Sequence, residues 1–188
     1  MINLAFKPTL IGEKVMLRPF EIEDIEPMEQ CLRDPEVIKL TGSFGELDMD
    51  VVRNWYRTRN EQPDRLDLAI VDKSNQLVVG EVVVNEYDAN SHSMNFRILI
   101  GPRGRDRGLG SEATALIIDY VFATTELQQL TLSVYAFNPR AIRVYEKAGF
   151  VLDSIDVGEL EYEGSRVDSL NMVLTRERRE KKRNAARS

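Results

Sequence analysis

The stretch from Met94 to Val121 constrains the fold more than any other part of this chain. Met94, Phe96, Ile98 and Ile100 alternate with Asn95, Arg97 and Leu99, which predicts a strand covered mainly on one face. A turn rich in arginine and glycine follows, Arg105-Asp106-Arg107-Gly108-Leu109-Gly110-Ser111. From there Leu109, Ala113, Leu116, Ile117, Tyr120 and Val121 recur at helical spacing. A helix start exposes unpaired backbone N–H groups and the positive end of the helix dipole, and glycines let that backbone approach an anion closely. Three arginines, Arg103, Arg105 and Arg107, surround the turn. The segment therefore predicts a strand–loop–helix unit built to hold a diphosphate.

Other glycine-rich phosphate loops fit less well. A Walker A loop is excluded because no Lys-Ser or Lys-Thr follows Gly110. Gly108-x-Gly110-x-x-Ala113 satisfies a permissive dinucleotide fingerprint, but that turn should follow its strand almost directly and have an acidic residue about 20 positions on. Here Pro102 and the arginines intervene, and the next strand ends in Ala136-Phe137-Asn138.

The rest of the chain reads as alternating strands and helices. Val15 to Arg18 predicts a strand, and Ile22 to Leu32 and Asp48 to Arg59 predict helices, with Gly42-Ser43-Phe44-Gly45 as a flexible link. Leu66 to Val71 and Leu77 to Val84 predict strands around the turn Lys73-Ser74-Asn75, and Asp88 to Ser91 forms a second turn. Leu130 to Tyr135 predicts another strand. Asn138 then suits a helix cap, Pro139 its first turn and Gly149 its end. Phe150 to Val157 and Arg166 to Leu174 predict a final hairpin around Tyr162-Glu163-Gly164. The sum is an α/β fold, a mixed sheet with helices on both faces.

Composition narrows the function class. With 188 residues, 43% of them hydrophobic, and no Pro/Gly/Ser-rich linker, the sequence predicts one domain over residues 1–176 and a basic tail over 177–188. No apolar run approaches the roughly 20 residues that span a bilayer, so a cytoplasmic protein with no membrane partner is expected. Cys31 is the only cysteine and His92 the only histidine, which argues against a disulfide or a Cys/His metal centre; no metal is expected. Residues 176–188 carry seven basic and two acidic side chains, leaving 18 basic against 29 acidic residues in the body, a net −11. Such a body disfavours nucleic acid and favours amines. Homodimerisation is left open.

Arg105-x-x-Gly108-x-Gly110 resembles the acyl-coenzyme-A pyrophosphate loop of the GNAT N-acetyltransferases, where Gln or Arg precedes x-x-Gly-x-Gly or Gly-x-Ala. Further landmarks extend the resemblance over roughly residues 10–176. Leu17-Arg18-Pro19-Phe20 with Asp24 resembles the first strand and helix of the RimJ/RimL branch. Asn138-Pro139-x-Ala141-x-x-x-Tyr145-Glu146-Lys147-x-Gly149-Phe150 is similar to the superfamily's second signature, and Gly164-x-x-x-Asp168 to the branch's closing hairpin. The resemblance implies a GNAT fold in which the strands at Met94–Ile100 and Leu130–Tyr135 splay apart to admit the pantetheine arm of acetyl-CoA. It implies coenzyme contacts from Ile98, Leu99 and Ile100, from Arg105, Asp106, Arg107, Gly108, Leu109, Gly110 and Ser111, and from Asn138 and Tyr145.

Acetyl transfer to an amine moves two protons, one off the ammonium and one onto the departing thiolate. The resemblance places Tyr145 as the acid. The strand position that often carries a Glu in relatives is Asn95 here, which leaves the base to another carboxylate or to a water chain leading to bulk solvent. Glu81 on the preceding strand and Glu159 or Glu161 near the final hairpin are the candidates. RimJ/RimL resemblance suggests a protein N-terminal α-amine as acceptor, whose pKa near 8 needs little help from a base. A small polyamine or aminoglycoside is the alternative, drawn in by Glu23, Asp24, Glu26, Glu29, Asp48 and Asp50. A coenzyme-binding sensor without catalysis is a third reading.

Overall fold

The computed structural model describes residues 2–185. Eight strands form one sheet in the order β1-β2-β3-β4-β5-β6-β8-β7. They are β1 (Leu10–Ile11), β2 (Val15–Arg18), β3 (Leu66–Asp72), β4 (Leu77–Asp88), β5 (Ser93–Ile100), β6 (Gln129–Tyr135), β7 (Val151–Tyr162) and β8 (Ser165–Thr175). Every neighbouring pair is antiparallel except β5 and β6. That exception is where the sheet opens. The β5–β6 ladder runs only from Ser93↔Gln129 to Asn95↔Thr131, so beyond it the β6-facing edge of β5 carries no strand. The mixed sheet with a splayed pair is the architecture expected.

The helices are α1 (Ile25–Leu32), α2 (Pro35–Thr41), α3 (Met49–Thr58), α4 (Leu109–Thr124), α5 (Pro139–Ala148) and α6 (Arg176–Ala185). The apolar stripe of α4, with Leu109, Ala113, Ile117 and Val121, packs with Phe96, Leu130 and Phe150 in the larger core. A second core on the other face gathers Phe20, Met28, Val52 and Tyr56 against Ala69 and Val71. Glu112 ties the helix to the sheet: its carboxylate accepts from the backbone N–H groups of Glu13, Lys14 and Val15, each at 2.8 Å.

Two features depart from the sequence expectations, and the start of the basic tail adds a third observation. Ile22–Asp24 is a single 3₁₀ turn, and the α-helix begins at Ile25. Helix α2 was not anticipated, although its signals are present: Asp34 caps it through Val37 N–H, Pro35 occupies the first turn, and Gly42 ends it at φ +65°. Residues 176–185, the end of the expected domain and the start of the expected basic tail, form α6. Arg176 donates to the carbonyls of Phe122, Thr125 and Leu127, and Arg178 and Arg179 donate to those of Gly149 and Ala148. Arginines thus fasten α6 to the carbonyl-rich C-terminal ends of α4 and α5. Residues 186–188 of the expected tail lie outside the described residues. Among those described, no helix is long and apolar enough to cross a membrane.

Candidate active site

A cavity of about 890 Å³ runs through the opening between β5 and β6. Its coenzyme-like end is the start of α4. Gly108 sits ahead of the helix at φ +78° and no side chain caps it; Asp106, two residues earlier, also has positive φ, at +58°. A Cβ on Gly110 would meet nothing closer than the side chain of Ile100, at 3.4 Å. The protein therefore does not itself require glycine there, and the space belongs to whatever approaches the helix. An exposed β5 edge at Ile98, Leu99 and Ile100 leads from this end into the gap, and all three residues line the cavity.

Two of the expected arginine contacts part company. Arg105 lines the cavity, bonded through Nη1 to Glu36 at 2.8 Å and through Nη2 to Asp34. Arg107 does not: its guanidinium turns away to buried Asp72 and to Ser74 Oγ, 3.1 Å off. Its reach is spent on the β3–β4 turn. Arg140 on α5, which sequence reasoning missed, joins the cavity wall and bonds Glu36 and, at 3.4 Å, Asp106. Gly108, Leu109, Gly110, Ser111 and Asp106 all line the wall, as does Asn138. The Asn138 side-chain oxygen accepts from Ala141 N–H at 3.1 Å, which leaves its amide NH₂ for a ligand.

Tyr145 lines the cavity beside Phe96 and Phe150, on the α4 face of the sheet. Burial alone pushes its phenol above the ordinary tyrosine range, so the hydroxyl stays protonated and available as a donor. Glu81 lies on the opposite face: in the β4–β5 ladder it stands across from Leu99, with Val83 across from Arg97. Its carboxylate accepts from Tyr56 Oη at 3.1 Å. Burial pushes Glu81 up from 4.5 to about 7, while Arg97 and the Tyr56 hydrogen bond pull the other way. Tyr56 is itself held protonated by burial and by Glu81. A carboxylate poised near neutrality on one face of the sheet and a protonated phenol on the other thus line one cavity, groups able to accept and to donate a proton.

The other expected candidates separate. Glu159 lines the cavity, but Glu161 is exposed on β7 and off its wall. Asn95 forms no part of the cavity; its amide donates to Asn85 at 3.2 Å. The helix carboxylates expected to draw in a cation are engaged elsewhere or off the wall. Asp24 is buried against Arg18, Glu29 pairs with Arg53, Asp48 caps α3, and Glu23, Glu26 and Asp50 do not line the cavity. Cys31 is buried and its thiol is pushed up to about 11, which removes it as a nucleophile. His92 is exposed and bonds Tyr87. Among the described residues no group of three or more His, Cys, Asp or Glu could hold a metal ion.

Comparison with known proteins agrees with this geometry. A family model described as an acetyltransferase (GNAT) domain matches residues 14–151. Spermidine N(1)-acetyltransferase of Escherichia coli (strain K12) is 30% identical over 164 residues, covering 81% of this chain and 78% of the relative. An N-acetyltransferase 9-like protein of Caenorhabditis briggsae is 24% identical, covering 73% and 74%. Among solved structures, spermidine N-acetyltransferase from Vibrio cholerae in complex with CoA and spermine superposes with a TM-score of 0.80 at 21% identity, covering 89% of this chain and 99% of that one.

Proposed function

The chain belongs to the GNAT acetyltransferase family and is an acetyl-CoA-dependent N-acetyltransferase; from that premise we propose that it acetylates the α-amine of a peptide N-terminus directly, with Glu81 as proton acceptor and Tyr145 as proton donor. The residues present suit the coenzyme. The uncapped backbone N–H groups at Gly108–Ser111, with Arg105 and Arg140 beside them, would hold the diphosphate. The free edge at Ile98–Ile100 and the Asn138 amide would pair with the pantetheine amides. The acetyl thioester supplies an activated acyl group to the amine.

The single observation that carries the acceptor reading is Glu81. Its pKa of about 7 lies within about one unit of a peptide α-ammonium near 8, so proton transfer between them is close to balanced. A lysine-like ammonium near 10.4 is a harder donor. Glu81 takes one proton from the ammonium so that the neutral nitrogen can attack the thioester carbonyl; as the C–S bond breaks the Tyr145 hydroxyl donates to the departing sulfur, and the second proton shed by the nitrogen as it becomes an amide restores the phenol. A buried phenol with burial as the sole cause of its raised pKa has no competing partner for that donation.

A polyamine acceptor is the second reading, and the named relatives favour it. The cavity favours it less: away from the coenzyme end its wall offers two carboxylates, Glu81 and Glu159, and also the cation Arg97. Thiol release from acetyl-CoA, followed with N-terminal peptides, spermidine and lysine side-chain analogues, tests the choice. Peptides turning over with the highest kcat/KM support the first reading; spermidine alone turning over refutes it.

A further inference from the structure

We propose that Arg97 and Trp55 form a subsite for an oxyanion on the acceptor, so that this enzyme selects amines carrying a carboxylate close to the reacting nitrogen. The inference rests on the acceptor end of the cavity as assigned above, and names the chemistry that end selects. Arg97 lies on β5 across from Val83, two pairs along from Glu81↔Leu99, so Arg97 and Glu81 occupy diagonal positions on one face of the sheet. Diagonal neighbours sit about 7–8 Å apart at the backbone. The two charges influence each other, yet no salt bridge closes between them.

The cations on the cavity wall differ in this respect: among the described residues two arginines found protein partners, while Arg143 and Lys147 on α5, like Arg97 beside Glu81, did not. Arg105 and Arg140 are bonded to Asp34, Glu36 and Asp106. Arg97 also lines the wall, exposed, with no hydrogen-bond or ion-pair partner among the described residues. Trp55 on α3 lines the same wall, and its indole N–H is buried without an acceptor. A buried donor left unmade is costly, and an indole N–H and a guanidinium can only donate. A protonated polyamine has no atom to offer either group and is repelled by Arg97. An α-ammonium with a nearby carboxylate has both halves of what the wall presents: its cation meets Glu81 and its oxygens meet Arg97 and Trp55.

The test compares a tripeptide beginning with aspartate, the same tripeptide beginning with asparagine, free aspartate, and spermidine. Each is measured twice, by thiol release from acetyl-CoA and by calorimetric binding to the complex with coenzyme A. The wild type should favour the aspartate tripeptide over the asparagine one by about 10- to 100-fold, the range of a hydrogen bond to a charged group. Arg97→Met should bring that ratio to near one, and Trp55→Phe should lower it in part. Using the ratio cancels any general effect of losing Arg97 on Glu81. Free aspartate equal to the tripeptide would identify a small-molecule acceptor; aspartate recognised only within the tripeptide would identify a chain terminus. A ratio near one in the wild type, a ratio unchanged in Arg97→Met, or spermidine preferred over both peptides overturns the subsite. Arg97-dependent binding without thiol release would uphold the subsite and instead overturn the assignment of the peptide amine as the acetylated group.

Discussion

The two ends of the cavity were built in opposite ways. The coenzyme end is nearly continuous in sequence: β5, its following turn and the first turn of α4 occupy residues 93–111. Its proposed binding groups are chiefly backbone, at Ile98–Ile100 and Gly108–Ser111, with the side chains of Arg105, Asn138 and Arg140 beside them. The acceptor end is assembled from separate elements, with Glu81 from β4, Arg97 from β5, Trp55 and Tyr56 from α3 and Glu159 from β7. Its groups are side chains whose properties depend on one another, as Glu81, Tyr56 and Arg97 show. In the proposed reading, backbone geometry holds the coenzyme, and side chains brought together from distant elements set the amine site.

The contrast can be broken at the junction of the two ends. Tyr145→Phe keeps the packing against Phe96 and Phe150 and removes only the donor to sulfur. It should lower kcat and kcat/KM together by about 10²- to 10⁴-fold with coenzyme affinity little changed, as steady-state kinetics beside calorimetry would show. Turnover within threefold of wild type would reduce Tyr145 to a core aromatic.

At the coenzyme end the expected effect is on binding. Gly110→Val should weaken coenzyme A by on the order of 100-fold, by displacing two charge-assisted hydrogen bonds. Gly110→Ala should do far less, since its Cβ meets only ordinary contacts. Equal affinity for all three proteins in calorimetry would mean that the helix start does not hold the diphosphate. The smallest effect sharpens the line between binding and structure. Arg107→Met should leave coenzyme affinity within about twofold while costing about 1–3 kcal/mol of stability, because buried Asp72 loses a charged donor. Urea unfolding measures the second quantity; a large loss of affinity would return Arg107 to the phosphate site.

The same division explains what the sequence disclosed. Strand alternation, the glycine turn and the caps at Asn138 and Gly149 are local signals, and the fold and the uncapped start of α4 were legible in them. The final hairpin was legible too, with Glu163 and Gly164 both at positive φ in its tight turn. Arg105 and Arg107 are two residues apart in one loop, and no local pattern separates them; the ion pairs of Arg107 with Asp72 and of Arg105 with Asp34 and Glu36 span long stretches of chain. Arg140 was missed for the same reason, since its role depends on α2, whose short span hid it. Glu81 could be named as a candidate from its strand, but its burial and its bond to Tyr56 arise only when α3 packs on the sheet.

The account depends most on Glu81 being the base that links the two ends. With acetyl-CoA saturating, the pH dependence of kcat/KM should be recorded for two acceptor amines of different pKa. An enzyme carboxylate near 7 is inactive when protonated, so activity should rise with pH through an apparent pKa of about 7 that is the same for both amines. Each amine adds its own ionisation on top. In Glu81→Gln the shared limb should disappear, leaving only the acceptor's ionisation and a rate lowered by about 10²-fold or more. A shared limb that survives unchanged in Glu81→Gln would contradict the account.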